Sequence, residues 1–128
     1  MGRAQDLPPL HGRVLVVDDD PGVRAFLAEF LALQDLAVRT AQDGAQALAI
    51  FGTESFDLVM VDLQMPGMSG LEVAAVVRQT HQHIPIALVT GTVHALHTEA
   101  LRRAGITRVF QKPFDLKALQ SWIRSLPL

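Results

Sequence analysis

Short apolar runs alternate with longer amphipathic ones along nearly the whole chain. Residues 14–17 (Val14, Leu15, Val16, Val17) are continuous, apolar and rich in β-branched side chains, the mark of a strand buried on both faces. Asp20 then caps a predicted helix with Pro21 in its first position, and Val23, Phe26, Leu27, Phe30 and Leu31 fall on one face at helical spacing. Residues 37–41 make a second predicted strand, and Asp43-Gly44 turns into a short Ala-rich helix with Ala45, Leu48 and Ala49 inward. Residues 58–61 are a third strand, ending at Asp62. The Pro- and Gly-rich stretch 64–70 leads from it into a helix with Leu71, Val73, Ala74, Val76 and Val77 inward. Residues 86–89 form a fourth strand ending at Thr90. A weaker helix follows, with Leu96, Ala100, Leu101 and Ala104 inward and Gly105 as its stop. Residues 109–111 are a fifth strand before Lys112-Pro113, and Asp115 caps a last helix whose stripe is Leu116, Leu119, Ile123 and Leu126.

Five strand–helix units in succession predict an α/β fold, a parallel sheet doubly wound with helices on both faces. Residues 1–12 are polar, carry Pro8-Pro9 and show no periodicity. They read as a tail or linker, which leaves 13–128 as one domain.

Composition narrows the class. Hydrophobic residues make up 49% of the 128 and charged ones 19%, enough to pack a core and too apolar for disorder. There is no Cys, so disulfide and thiolate chemistry are excluded. The apolar runs are strand-sized and far short of a bilayer, and no basic-then-apolar leader opens the sequence, so the expected location is the cytoplasm with no membrane insertion. A net charge of −2 without a Lys/Arg cluster argues against direct nucleic-acid binding. Only Lys112 and Lys117 among the 11 basic residues are lysines, which gives a Lys between a strand and a Pro unusual weight.

Doubly wound sheets bind their ligands beyond the carboxyl ends of the strands. Four such ends carry chemistry here: Asp18-Asp19, Asp62, Thr90 and Lys112. Taken singly, each has an ordinary explanation as a cap, a structural hydroxyl or a solvated charge. Their joint occurrence on successive strand ends does not. Two carboxylates 4 Å apart repel by about 4 kcal/mol at an effective dielectric of ~20, so such a cluster calls for a hard divalent cation. Few protein ligands and several waters suit Mg²⁺, which completes its shell with phosphate oxygens. Lys112 can hold a second phosphate oxygen and the Thr90 hydroxyl a third. The available nucleophile is a carboxylate, and Asp62, at the end of a central strand with a flexible loop behind it, is the candidate.

These residues resemble a known family, the receiver domains of two-component response regulators. The resemblance rests on residues 14–17 followed by Asp18-Asp19-Asp20, on Asp62 with its loop to Gly70, on Thr90-Gly91, and on Lys112-Pro113-Phe114, and it covers residues 13 to about 126. It implies a flavodoxin-like five-stranded sheet of order 2-1-3-4-5. It implies phosphorylation of Asp62 by a phosphohistidine of a sensor histidine kinase or histidine phosphotransfer protein, with self-catalysed dephosphorylation and no turnover of a separate substrate. Mg²⁺ would be held by Asp19, Asp62 and the backbone carbonyl of Gln64, with Asp18 acting mainly through water. Thr90, Gly91 and Lys112 would border the phosphoryl group. Output to a linked or separate partner would pass through the face of the fourth helix, fifth strand and fifth helix. Residues 10–14 resemble the lead-in of receivers fused behind histidine kinases, which points to one domain of a larger protein.

The sequence departs from the family in one telling place. The position that often carries a switching aromatic is Val109, and Phe110 beside it should face the other way along a strand. Gly91 replaces a commoner Ala and should leave the phosphoryl pocket open.

Two rival readings stay in view. A haloacid-dehalogenase-type phosphatase could use Asp18-Asp19-Asp20 as its signature, but Gly22 stands where Thr or Val is expected, no acidic pair follows Lys112, and Asp62 is left unexplained. A degenerate receiver acting only as a binding module is kept alive by Val109. His81 with His83, and His94 with His97, lack a carboxylate or Cys at zinc spacing and read as solvated histidines. Trp122 reads as a half-buried helix residue.

Overall fold

Five parallel strands take up the five apolar runs: β1 (Arg13–Val17), β2 (Ala37–Ala41), β3 (Leu58–Asp62), β4 (Ile86–Thr90) and β5 (Arg108–Gln111). Between and after them come α1 (Pro21–Ala32), α2 (Gly44–Phe51), α3 (Gly70–Thr80), α4 (Thr98–Ala104) and α5 (Leu116–Ser125). The computed structural model describes residues 11–91 and 97–128. Residues 1–10 of the tail expected at 1–12, and His94 and Leu96, lie outside the described residues. The sheet order is β2-β1-β3-β4-β5, with every neighbouring pair parallel.

β3 and β4 are buried at every position, because both faces of the sheet are covered. The two-residue period of a strand divides the core into two halves. Val14, Val16, Met60 and Val89 pack with Leu27 and Leu31 of α1 and Leu119 and Ile123 of α5. Leu15, Val17, Val59, Val61 and Leu88 pack on the other side with Ala47 of α2, Val73 and Val77 of α3, and Ala104 of α4. Full burial of each such Leu, Val or Ile side chain is worth about 1.5–3 kcal/mol.

The helix boundaries follow their caps. The Asp20 carboxylate accepts from the backbone N–H groups of Gly22 and Val23, and that of Asp115 from Lys117 and Ala118. Ser69 and Glu72 form a reciprocal capping box at the start of α3. Gly105 ends α4 in the left-handed conformation, φ 74°.

Several helix faces differ from the expected ones. Phe26 is 45% exposed and Leu116 39%, although both lie on predicted inward stripes. A helix on a flat sheet buries a narrower stripe than its apolar residues mark out, here Leu27 and Leu31. Phe26 leans sideways instead, stacking on Phe114 with ring centroids 6.3 Å apart. Val76 is exposed on α3, and on α2 it is Ala47, not Ala45 or Ala49, that is buried. Ala is short and frequent on that helix, so its positions carry little facing information. Trp122 is more deeply buried than expected, edge-on to Phe110 at 5.5 Å.

Candidate functional site

The strand register sets the site. Val17 of β1 pairs with Val61 of β3, so the next residues, Asp18 and Asp62, emerge side by side from the two central strands. Asp62 pairs with Val89, which brings Thr90 out one residue further along β4. Thr90 pairs with Gln111, so Lys112 leaves β5 one residue beyond it, and its backbone N–H donates to the Thr90 carbonyl at 2.9 Å. Four residues distant in sequence therefore meet at one edge of the sheet. The reason is that the apolar runs end in step.

Each of Asp18, Asp19 and Asp62 offers a carboxylate oxygen, and these oxygens lie within 4.8 Å of one another. Asp18 and Asp62 are buried, while Asp19 is exposed. The Lys112 ammonium sits between two of them, donating to Asp18 Oδ2 at 3.1 Å and lying 3.4 Å from Asp62 Oδ1. Asp18 Oδ1 accepts from the Asp20 backbone N–H at 2.9 Å, so both of its oxygens are engaged. Burial pushes the Asp62 carboxyl from its ordinary 3.8 up to about 6; the charges of Asp18 and Asp19 add to the rise, and Lys112 opposes it. For Lys112, burial works against the charged form. The hydrogen bond and charge of Asp18, then those of Asp62, outweigh burial and raise its pKa above the ordinary 10.5.

Thr90 is buried at the end of β4. Gly91 is exposed, and a Cβ there would meet nothing within 4 Å, in keeping with an open pocket. Gln64 is exposed in the loop that follows Asp62. Val109 packs with the α2–α3–α4 half of the core while Phe110 faces α1 and α5, the opposed orientation expected of neighbours on a strand. Among the described residues, the acidic trio is the one group of three or more potential metal-ligating side chains. His81 instead shares a hydrogen bond with Thr80 Oγ1 and lies edge-on to Phe51.

The structural roles of two residues, Gly70 and Arg24, were not visible in the sequence. Gly70 lets α3 begin against the backbone of Asp62: an added Cβ would lie 2.3 Å from the Asp62 carbonyl oxygen. Arg24 Nη1 donates to the carbonyl of Asp18 at 2.8 Å. The signals in the sequence were faint, a Gly just after a Ser cap and an Arg in the first turn of a helix.

The donor set is all oxygen and partly open to solvent. That fits a hard divalent cation with room for waters and a phosphate oxygen, the coordination Mg²⁺ favours. Fold and site together define a doubly wound α/β domain with an acidic cluster and a Lys at the carboxyl edge of its sheet. The family model for the response regulator receiver domain matches residues 14–124, and the chain belongs to that family as a receiver domain of two-component signalling. Response regulator MprA of Mycolicibacterium vanbaalenii is 37% identical over 114 residues, 89% of this chain and 49% of that protein. The chain thus spans about half the length of the curated relatives it matches. The chemotaxis response regulator CheY4 of Vibrio cholerae superposes with a TM-score of 0.83 at 29% identity, covering 91% of this chain and 98% of that one. The response regulator TrrA of Thermotoga maritima, solved in complex with Mg²⁺ and BeF, gives 0.81 at 34% identity over 88% and 96% of the two chains. TrrA has also been solved in complex with the histidine kinase ThkA.

Proposed function

We propose that Asp62 is the phosphoacceptor of this receiver domain. The observation that carries the reading is its position: a buried carboxylate ending a central strand, within 4.8 Å of two more carboxylates and 3.4 Å from a Lys ammonium. The donor is a phosphohistidine of a sensor histidine kinase or histidine phosphotransfer protein, by analogy with TrrA, which is known in complex with such a kinase. An Asp62 carboxylate oxygen forms the new bond to phosphorus. The P–N bond to the donor breaks, and its electron pair leaves with the imidazole. Self-catalysed hydrolysis returns the carboxylate, so the domain is a switch and not a turnover enzyme.

Asp19, Asp62 and the Gln64 carbonyl would hold Mg²⁺. Asp18, both of whose oxygens are already engaged, would act through water. Bound there, Mg²⁺ supplies charge neutralisation for the phosphoryl oxygens in transfer. Lys112 takes a second phosphoryl oxygen, the Thr90 hydroxyl a third, and Gly91 leaves room for them. Output passes from Thr90 and Val109 to the face of α4, β5 and α5, where a linked or separate partner would bind, with no direct contact to nucleic acid. Among the described residues no helix is long and apolar enough to cross a membrane. That, with the absence of Cys, supports work in the cytoplasm.

The approach of the donor is favoured by a groove of about 380 Å³ that starts at Lys112 and is lined by Val23, Phe26, Pro113, Phe114 and Leu116. Exposed apolar surface beside the acceptor suits a partner that docks and leaves. The test is incubation with acetyl phosphate and Mg²⁺ followed by intact-mass spectrometry. One phosphoryl should be added per chain, and none to Asp62→Asn. Undiminished labelling of that variant removes Asp62 from the role, and repeated turnover of a phosphate ester would favour the phosphatase reading instead.

A further inference from the structure

The carbonyl oxygen of Asp18 is held from outside the sheet. Arg24, half-buried in the first turn of α1, donates to it from Nη1 at 2.8 Å. An Arg in the first turn faces the positive end of the helix dipole, where the Asp20 N-cap carboxylate already supplies the favourable negative charge. The helix dipole therefore gives no reason for a cation at this position. What the bond does fix is the peptide joining Asp18 to Asp19. The Asp18 N–H donates to the Ala41 carbonyl at 3.1 Å, its carboxylate accepts from the Asp20 N–H at 2.9 Å, and Arg24 takes the carbonyl. A planar peptide with its carbonyl held has its orientation set, which fixes the Asp19 Cα, and the Asp20 N–H bond to the Asp18 carboxylate restrains the far side of Asp19, so the direction of its Cα–Cβ bond is limited between the two. Asp18 has Lys112 to hold its carboxylate. Asp19 is exposed and reaches the trio by the course of the turn.

We infer that Arg24 is a positioning residue of the metal site, its bond to the Asp18 carbonyl aiming the Asp19 carboxylate toward Asp62. The inference rests on the reading of Asp19 and Asp62 as ligands of Mg²⁺. Loss of the bond frees the peptide to rotate, so the oxygens converge less often and the cation binds more weakly.

The test is calorimetric titration of the full chain with Mg²⁺, together with the Mg²⁺ dependence of labelling by acetyl phosphate. Replacing a residue that orients a metal ligand typically weakens the metal 10- to 100-fold, so Arg24→Ala should bind Mg²⁺ about tenfold more weakly. Its labelling curve should move to higher Mg²⁺ by the same factor while the rate at saturating Mg²⁺ stays near wild type. Arg24→Lys, which can still donate to the carbonyl, should recover most of the affinity. Should Arg24→Ala fail to fold, Arg24→Gln carries the same comparison with Arg24→Lys. A purely structural role would lower the urea midpoint and leave Mg²⁺ affinity unchanged. That pattern overturns the inference, as does a Lys variant no better than the Ala one. A wild-type chain that binds no Mg²⁺ overturns this inference and the functional reading together, whereas normal binding by wild type and Arg24→Ala alike overturns this one alone.

Discussion

Asp62→Asn should make the metal-free protein more stable at neutral pH. Asp62 is raised from 3.8 to about 6 in the folded chain, chiefly by burial and then by the charges of Asp18 and Asp19, net of the opposing pull of Lys112. The native state therefore binds a proton more readily than the unfolded one, and ionising Asp62 destabilises it. A rise of that size corresponds to about 3 kcal/mol. Relaxation and water penetration around a buried carboxylate bring the expected effect to about 1–2 kcal/mol. The penalty is complete above pH 6, shrinks as pH falls through 6, and is gone below 3.8, where the carboxyl is protonated in both states. Asn has nearly the same shape and never ionises, and Lys112 keeps Asp18 as its partner. Urea unfolding of wild type and Asp62→Asn in EDTA at pH 7.5 should show the variant ahead by about 1–2 kcal/mol, with the two curves converging toward pH 4. Added Mg²⁺ should narrow the gap at pH 7.5, because it binds the folded wild type through the carboxylate that the variant lacks. A variant no more stable than wild type in EDTA, or a gap unchanged at low pH, would refute the electrostatic account.

Lys112→Ala should leave Mg²⁺ affinity unchanged or tighter, since its ammonium competes for Asp18 and Asp62; it should weaken the structural response to phosphorylation, and a clear loss of affinity by calorimetry would contradict this. Gly70→Ala drives a Cβ against the backbone of Asp62 and Leu63, where nothing can rotate away. It should cost about 1–3 kcal/mol in urea unfolding and slow labelling of Asp62, and near-wild-type values for both would sink the close-approach argument. Val109 is short and stiff at χ1, so hydrogen exchange with and without Mg²⁺ and beryllofluoride should change little across Arg108–Gln111. The larger changes should fall in the loops after Asp62 and Thr90 and at the start of α4, whose N-cap, His97, makes no side-chain bond; the reverse pattern would overturn that assignment.

The site was legible in the sequence where it depends on strand ends. In a parallel sheet buried on both faces, an apolar run stops where the strand leaves the core, so Asp18, Asp62, Thr90 and Lys112 could be placed without knowing any contact. Helix faces were harder to read. Phe26 and Leu116 satisfy the helical period yet line a groove, because periodicity marks a face and does not say how much of it the sheet covers. Arg24 and Gly70 act on backbone carbonyls, which have no letter in the sequence. The resting partners of Lys112 were hidden for a related reason. A Lys expected to meet phosphate gives no hint that two carboxylates hold it beforehand.

The charge balance of the site shows why this arrangement suits a switch. Three carboxylates face one ammonium, and the shortfall adds to the rise that burial imposes on the pKa of Asp62. A divalent cation brings the cluster to neutrality. After transfer the dianionic phosphoryl group replaces the single charge of Asp62, and the total moves only to one negative charge. A monovalent ion would leave a deficit both before and after. Transfer also moves negative charge outward, from a carboxylate oxygen to phosphoryl oxygens. Lys112, shared in the resting state by Asp18 and Asp62, would follow that charge and loosen its hold on Asp18. Its backbone N–H is bonded to the carbonyl of Thr90, and β5 is the edge strand beyond β4. Thr90 and Lys112, proposed to contact the phosphoryl group, are thus tied to each other at the ends of β4 and β5. With Val109 too small to sweep a volume as an aromatic would, we propose that this coupled pair carries more of the change of charge at Asp62 to the surface than Val109 does.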